Sequence, residues 1–273
     1  MFKLNKNRSP EKDTNKKLEL TITHLLNFKE KQGIGFNFWK NSCIQNFPKT
    51  KKGFKYPKEW KIIEIKAYPR FPQIDLSFFI NFKIKNDLFK ILLTRRSERT
   101  FSEKPISLKE IANLIYFSCG VREKKIDFNE TKRTYPSAGA RYPLEVYIVN
   151  LKSLDFPFGL YHYNVKRNTL EFLMEGNFQK FFKETTNQAW VENSSIVVII
   201  TGIFERTTIK YGERGWRYIW LETGHLAQNI YLVATALKLK CCAIGGFKED
   251  ELIKFLDIEE TGEVPLYLLA LGK

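Results

Sequence analysis

Residues 210–240 constrain the fold more than any other stretch of the sequence. From Trp216 onward the apolar residues recur at three- and four-residue steps, which predicts a helix. In the second half of this helix the apolar residues cover nearly the whole circumference. A helix of that kind is normally buried in the middle of a domain or in a subunit contact. We therefore predict a long central helix around which other elements pack.

Polar residues at offsets of four, three and four share one face of this helix: Tyr218, Glu222, His225 and Asn229. Buried polar groups need partners, so the stripe predicts a hydrogen-bonded network. Taken alone, the pattern favours a network in the core or at a dimer interface over a catalytic one.

The charge of the chain is large and unevenly distributed. The 273 residues carry a net charge of +15, and the first 58 residues hold 14 Lys and Arg against 4 Asp and Glu. Such a basic segment can bind nucleic acid, an acidic peptide or anionic lipid, but a solvated lysine-rich surface is the simpler interpretation. No motif of a nucleic-acid-binding module occurs in the sequence, so nucleic acid is not expected as a partner.

Targeting and redox features indicate the cytoplasm. No apolar run approaches the roughly 20 residues of a membrane span, and the charged N-terminal residues lack the apolar core of a secretory signal. The four cysteines show no CxxC spacing and the three histidines are far apart, so neither a disulfide framework nor a metal site is expected. We predict a cytoplasmic protein without a membrane span or a metal.

Composition and patterning divide the chain near residue 86. Residues 1–86 are predicted to form a basic, aromatic-rich extension, with a helix within residues 18–35 and irregular structure over residues 36–86. Residues 87–273 are predicted to form the main domain. Its strands, a hairpin over residues 158–175 and its helices follow one another without the regular order of a doubly wound sheet, which predicts an α+β fold.

A basic group follows the first predicted helix of that domain, in residues 95–99, which we call the arginine segment. It contains Arg95, Arg96, Ser97 and Arg99. Arginine forks suit phosphate oxygens and serine adds a hydroxyl donor, so the segment can form an anion site. A basic helix end that neutralises its own dipole explains the same residues equally well, and both interpretations stay open at this point.

Two further segments are candidates for a site. Residues 136–141, which we call the small-residue loop, begin Pro-Ser-Ala-Gly-Ala, and such a loop lets a flat ligand approach the main chain. Lys210 and Tyr211 stand beside Gly212, which predicts a loop where two proton-carrying groups reach a pocket. An ordinary turn, and a surface lysine beside a packing tyrosine, are the alternatives.

Together these segments resemble one family. The arginine segment is similar to the phosphate-binding segment of FMN-dependent nitroreductase-fold enzymes. Later segments resemble the SagB-type branch of that family, the thiazole- and oxazole-forming (azoline) dehydrogenases: residues 136–145, 210–211, 214–218 and 222–229. The resemblance covers roughly residues 88–272 in consistent order.

The resemblance implies a nitroreductase-like flavoprotein whose central mixed or antiparallel sheet is flanked by helices, with FMN at the interface of a homodimer. The resemblance implies that the arginine segment binds the FMN phosphate and ribityl chain. The small-residue loop would reach the flavin from the other subunit, and a pair of glycines later in the chain would place backbone amides near the isoalloxazine ring. These segments contain Arg95, Arg96, Ser97 and Arg99; Pro136, Ser137, Ala138, Gly139 and Arg141; and Gly245 and Gly246.

The resemblance also implies the reaction, which oxidises a thiazoline or oxazoline ring in a ribosomal peptide to thiazole or oxazole. The ring loses a proton from its Cα side and a hydride to flavin N5. A free tyrosine, with a pKa near 10, is a weak base at neutral pH, and a neighbouring ammonium favours the phenolate. We expect Tyr211 as the base and Lys210 as its electrostatic partner, although the two roles can be exchanged. Expected partners are a precursor peptide and a cyclodehydratase on a separate chain.

Two other functions stay open on the sequence alone. An NAD(P)H-dependent nitroreductase or flavin reductase of the same fold would use the same FMN site, although simple hydride transfer needs no protein base. A non-catalytic basic binding protein would use the charge of +15 but would not need the arginine segment. The sequence does not identify the peptide, a preference for thiazoline or oxazoline, the flavin reoxidant, or the role of the extension.

Overall fold

The computed structural model describes residues 34–43, 65–123 and 131–273, and the chain divides into two units between residues 52 and 53. In the first unit the described residues form helix α1, Ile34–Asn41. The prediction of irregular structure is wrong here, since Ile34 and Phe38 have the four-residue spacing of one helix face. Most of the helix predicted within residues 18–35 lies outside the described residues.

The centre of the second unit is an antiparallel sheet that has seven strands among the described residues. All of its pairings are antiparallel, which confirms the predicted central sheet. In spatial order its strands are β1 (Gln73–Asp75), β6 (Thr169–Glu175), β5 (Gly159–Asn164), β4 (Leu144–Asn150), β7 (Ile196–Ile203), β9 (Glu263–Gly272) and β8 (Lys240–Ile244). A separate ribbon pairs β2 (Val121–Glu123) with β3 (Lys132–Arg133).

Helices cover both faces of this sheet. Those of the second unit that the structure describes are α2 (Leu88–Thr94), α3 (Leu108–Cys119), α4 (Gln179–Thr186), α5 (Glu205–Tyr211), α6 (Arg214–Ala236) and α7 (Glu249–Leu256). None of the described helices is both long and apolar enough to cross a membrane.

The sheet is covered on both sides because its central strands are apolar on both sides. Strand β4 is buried at every residue. Successive residues of a strand point to opposite faces. Val146 and Ile148 pack with residues of α3 and α6, whereas Tyr147 and Val149 pack with residues of α4 and α7. Strands buried in this way are rich in apolar residues, as β7 is and as β4 is apart from Glu145 and Asn150.

Helix α6 lies at the centre of its layer, as the sequence predicts. It packs against α2, α3, α5, β8 and β9. The predicted polar stripe is only partly inside: Glu222 is buried and Asn229 donates hydrogen bonds to the carbonyls of Ser118 and Thr134, whereas His225 is exposed. The reason is that the face carrying His225 is not covered by any described element of the chain.

Lys210 and Tyr211 lie in the last turn of helix α5, not in a loop as predicted. This helix has seven residues, too few to show a clear apolar period, and its buried residues are Arg206 and Thr207. Gly212 ends the helix with a φ of 55°, and its N–H bonds to the carbonyl of Thr208. Glycine adopts this left-handed conformation at little cost.

Part of the predicted extension joins the second unit. Strand β1 pairs with β6, and Leu76, which follows it, is fully buried in the core. The boundary at residue 86 stays a prediction, since an edge strand supplied by an extension pairs in the same way as a strand of the domain.

Candidate active site

The arginine segment runs beside β8 at the edge of the sheet. Asp87 caps α2 by accepting hydrogen bonds from the amides of Phe89 and Lys90, and the chain leaves the helix at Arg95. The amide of Glu98 then bonds to the carbonyl of Cys241 over 2.9 Å. These contacts fix the backbone of the segment while the side chains of Arg96, Ser97 and Arg99 stay exposed.

Tyr231 of α6 joins the arginine segment to β8. Its hydroxyl lies 2.9 Å from the hydroxyl of Ser97 and accepts a hydrogen bond of 2.7 Å from the amide of Ala243. The guanidinium of Arg95 lies over the Tyr231 ring, 5.2 Å from its centroid. Sequence reasoning missed this residue, treating it as part of the apolar face, although a phenol on such a face needs a partner.

Gly245 and Gly246 directly follow β8 and are exposed. A β-carbon at Gly246 would meet no described atom within 4 Å, and one at Gly245 would meet only the Tyr267 ring, at 3.7 Å. The backbone here is therefore open to a ligand. Because Tyr231 ties Ser97 to Ala243, the structure brings the arginine segment and these two glycines to one edge of the sheet.

The small-residue loop packs on Lys210 and Tyr211. Gly139 has a φ of 61°, and a β-carbon there would lie 2.5 Å from the Tyr211 hydroxyl oxygen and 2.9 Å from Lys210 Nζ. The Lys210 ammonium also lies 5.4 Å from the centroid of the Tyr211 ring. The structure thus brings together two predicted segments that are about 70 residues apart.

Arg141, at the end of this loop, is buried and holds helix α5. Its Nε donates to the carbonyl of Arg206, 2.5 Å away. The Arg206 side chain in turn bonds to Glu145 of β4, with 2.6 Å between Nη1 and Oε1. The contact of Arg141 with a cofactor stays a prediction. The observed contact of Arg141 is with the helix that carries Lys210 and Tyr211.

A buried chain of alternating charges continues from Glu145 across the sheet. His162 of β5 lies 3.1 Å from Glu145 and 2.8 Å from Glu171 of β6. Burial alone would lower the pKa of His162, but its hydrogen bonds to the two carboxylates outweigh burial and raise the pKa. Burial alone would likewise raise the pKa of Glu145, but His162 and Arg206 lower that pKa to about 2. The contacts along this chain therefore favour the ionised form of Glu145 and Glu171 and the protonated form of His162.

Sequence reasoning missed this charge chain. Glu145 belongs to the family-like segment of residues 136–145, but nothing in the sequence indicates that it meets His162 and Arg206. The available signal is that polar residues interrupt strands that are otherwise buried. Which of them meet depends on the register of β4, β5 and β6.

Helix α6 separates the two halves of the predicted site within one chain. The Tyr211 ring packs edge-on against Tyr218, with centroids 5.1 Å apart, whereas the arginine segment contacts Tyr231. These two tyrosines are 13 residues apart on the helix, which corresponds to about 20 Å along its axis. A single chain therefore does not bring the arginine segment to Lys210 and Tyr211.

An apolar surface lies on α2 and α6, which pack against each other. Its most exposed members are Leu93 at 86% and Phe89 at 76%, and exposed apolar surface of this kind often marks a contact with another protein. We call it the α2/α6 patch, and it consists of Leu88, Phe89, Leu92, Leu93, Trp216, Trp220 and Leu221.

Comparison with known proteins places the chain in a family. The model of the nitroreductase family matches residues 92–273. MJ1384 of Methanocaldococcus jannaschii, whose name assigns it to the nitroreductases, is 34% identical over 184 residues, which are 67% of this chain and 89% of that protein. The microcin B17-processing protein McbC of Escherichia coli is 28% identical, over 54% of this chain and 56% of McbC. The trifolitoxin operon protein TfxC of Rhizobium leguminosarum bv. trifolii is 27% identical, over 66% of this chain and 54% of TfxC.

The chain thus spans little more than half the length of McbC and of TfxC. Two solved structures share its fold. A nitroreductase-type protein of Anabaena variabilis gives a TM-score of 0.68 at 24% identity, over 86% of this chain and 45% of that one. The E. coli microcin synthetase McbBCD complex with truncated pro-MccB17 bound gives 0.57 at 22% identity, over 88% of this chain and 91% of the matched chain.

These matches confirm the resemblance inferred from the sequence, both to the nitroreductase fold and to the branch that contains peptide-processing proteins. They agree with the antiparallel sheet flanked by helices. The chain belongs to the nitroreductase family, whose members are flavin-dependent oxidoreductases.

Proposed function

We propose that this protein is an FMN-dependent dehydrogenase that oxidises thiazoline or oxazoline rings of a ribosomal peptide to thiazole or oxazole. The observation that carries the proposal is the packing of Lys210 and Tyr211 against Gly139. A hydride-transfer enzyme has no need of a protein base, whereas azoline oxidation must also remove a proton. Relationship to the microcin B17-processing protein McbC supports a peptide substrate.

The chemistry of the exposed donors fits FMN. Arg96, Ser97 and Arg99 are exposed together, and charge-assisted hydrogen bonds from arginine suit a phosphate dianion. The open backbone at Gly245 and Gly246 fits a flat ring. Arg95 would add its charge, while Pro136, Ser137 and Ala138 would contribute from the second subunit. When bound, FMN supplies the two-electron acceptor of the reaction.

The residues of the chain position the ring and remove the proton. Tyr211 acts as a phenolate that takes the proton from the Cα side and becomes a neutral phenol, and the ammonium of Lys210 favours the phenolate before the transfer. The small-residue loop limits where these two side chains can lie, because Gly139 leaves room only for a hydrogen atom. Arg141 and Glu145 hold α5 through Arg206. Fixed positions of this kind are the main protein contribution in a cofactor enzyme.

A homodimer would complete the site. The roughly 20 Å along α6 between the two halves favours a site built from two copies, one supplying the arginine segment and the other supplying Lys210 and Tyr211. The α2/α6 patch would be covered in that contact. We further propose a cytoplasmic protein whose precursor peptide is cyclised by a separate cyclodehydratase. The matched McbBCD structure is itself a complex of different proteins.

The test is azoline oxidation by variants of the two proposed catalytic residues. Lys210→Ala and Tyr211→Phe should retain FMN but lose activity by about 100-fold or more, the usual contribution of a positioned base. Lys180→Ala, which changes an exposed lysine, and Tyr116→Phe, which removes a hydroxyl bonded to Val121, serve as matched controls. Oxidation at the parent rate by both site variants would rule out the assignment.

A second candidate is an NAD(P)H-dependent nitroreductase or flavin reductase. It is favoured by the 34% identity to MJ1384. Steady-state consumption of NAD(P)H with a nitroaromatic compound separates the two functions, because the dehydrogenase should consume little. Membership in an oxidoreductase family argues against the third candidate, a non-catalytic basic binding protein.

A further inference from the structure

Glu222 is a carboxylic acid buried behind the small-residue loop. It lies on α6 and is 2% exposed, and neither of its oxygens has a hydrogen bond of normal geometry within the described part of the chain. The Ser137 hydroxyl and the Ala138 amide lie close enough to influence its pKa. Burying an ionised carboxylate without strong partners is costly, so the position of this side chain requires a physical explanation.

Its surroundings favour the protonated form. Burial raises the pKa of Glu222 to about 8, and the nearby Ser137, Arg133 and Ala138 only partly oppose the shift. Arg133 of β3 already donates to the Tyr135 hydroxyl over 3.1 Å. Arg133 and Tyr135 are the charged and titratable groups coupled to this carboxyl among the described residues. At neutral pH the neutral acid offers one donor and one acceptor to the loop.

The small-residue loop connects this acid to the proposed catalytic pair. Ser137 and Ala138 face Glu222, and the next residue, Gly139, faces Lys210 and Tyr211. The Ser137 hydroxyl also accepts a hydrogen bond of 2.8 Å from the amide of Tyr142, which closes the loop on itself. The oxygens of Glu222 are shielded from solvent, and the parts of the predicted site nearest to them are Ser137 and Ala138 of the loop.

We propose that Glu222 is a positioning residue that, in its neutral form, holds the small-residue loop against Lys210 and Tyr211. The catalytic consequence rests on the proposed function. The control of the loop by Glu222 does not rest on the proposed function, because that control follows from the packing of Glu222, Ser137 and Gly139. When Glu222 ionises, Arg133, Ser137 and Ala138 compensate the buried charge only in part, and the loop moves away to let water reach it.

The first experiment measures thermal unfolding of flavin-free protein between pH 5 and pH 9. A group whose pKa is raised on folding stabilises fully below its unfolded pKa, and this contribution is lost as the pH rises to its folded pKa. Glu222→Gln should therefore unfold at a higher temperature than the parent at pH 8, and this gap should close towards pH 5. Glu260→Gln, which changes an exposed carboxylate, should follow the parent throughout. A Glu222→Gln curve parallel to the parent would overturn the proposal.

The second experiment reads the loop directly. Trypsin cleavage after Arg141, followed by mass spectrometry, should be roughly ten-fold faster in Glu222→Ala than in the parent at pH 7, because local opening exposes the bond. Glu222→Gln should stay protected at both pH 7 and pH 9, whereas the parent and Glu260→Gln should both lose protection at pH 9 relative to Glu222→Gln. Equal cleavage of all variants at both pH values would contradict the role of Glu222.

The third experiment tests the catalytic consequence. The rate of azoline oxidation should fall above about pH 8 in the parent but not in Glu222→Gln, and kcat of Glu222→Ala should fall by about 100-fold, the cost of a displaced catalytic group. Retention of the alkaline decline in Glu222→Gln would contradict positioning by Glu222. If no protein, parent included, oxidises an azoline, the proposed function fails while the unfolding and cleavage results still decide the role of Glu222.

Discussion

Gly139 lies so close to Tyr211 that a β-carbon at position 139 would be 2.5 Å from the phenolic oxygen. We expect Gly139→Ala to displace the ends of both Tyr211 and Lys210. The φ of 61° adds about 1 kcal/mol of backbone strain in alanine. The expected result is a loss of about 100-fold in azoline oxidation, measured at saturating FMN.

The control for this substitution is Gly262→Ala. Gly262 has a similar φ of 68° but meets no described atom within 4 Å. It should therefore show the same loss of stability in urea unfolding without the loss of activity. Equal rates of azoline oxidation by the two variants would show that Gly139 does not position Lys210 and Tyr211.

The arginine segment should recognise the phosphate of FMN and not its ring. Arg96→Gln and Arg99→Gln should each raise the Kd for FMN by about 10-fold or more, because a hydrogen bond to a charged group contributes about 1.5 to 3 kcal/mol. Binding of riboflavin, which lacks the phosphate, should be unchanged. Arg167→Gln, at an exposed arginine in the turn between β5 and β6, is the control. Equal weakening for both flavins would contradict a phosphate contact.

The α2/α6 patch should be a contact between two copies of the chain. Leu93→Asp places a charge on its most exposed member, 86% accessible, and should convert a dimer to a monomer in sedimentation velocity. The monomer should also lose bound flavin, since its site would be incomplete. Leu154→Asp changes a leucine that is 81% exposed outside the patch and should stay dimeric. If the Leu93→Asp variant stays dimeric and retains full FMN, the α2/α6 patch is not the contact between the two copies.

Glu145 should stabilise the protein in a way that depends on pH. Its pKa is lowered from the ordinary 4.5 to about 2 on folding, so its contribution is present above pH 4.5 and is lost as the pH falls towards 2. Glu145→Gln leaves Arg206 and His162 without their shared partner, which should cost about 3 to 5 kcal/mol at pH 7 in urea unfolding. The difference from the parent should shrink below pH 4.5.

Glu184→Gln provides the comparison for an exposed ion pair. Its partner Lys180 lies 3.8 Å away and both side chains are largely exposed, so its loss should cost less than about 1 kcal/mol. If Glu145→Gln costs as little as Glu184→Gln, the buried charge chain contributes little to folding.

Elements with strong local signals were predictable to within a few residues. The capping box of Ser107 and Glu110 marks the start of α3, and the apolar run at β8 matches the observed strand, Lys240–Ile244. Helix α5 was not predictable, since seven residues with a polar buried face carry no period. Its identification changes how Lys210 and Tyr211 are held, because a helix end anchored through Arg206 is more rigid than a loop.

The candidate site was predictable in its parts and not in its assembly. The arginine segment and the small-residue loop follow from their own residue types. Tyr231 and Arg206 did not stand out, because each is ordinary in its local sequence, and Glu222 was predicted only as a member of the polar stripe on α6. Their roles come from neighbours elsewhere in the chain, and a pattern of a few residues contains no information about them.

The sequence by itself determined the central helix, the apolar strands, the basic phosphate-type segment and the family. Each of these depends on short-range periodicity or on a local motif. Only the tertiary structure decided that Gly139 meets Tyr211, that Glu145 pairs with Arg206, and that α6 keeps the two halves of the site apart. The physical reason is that such contacts depend on strand register and on packing between distant elements, which are set by the whole core at once.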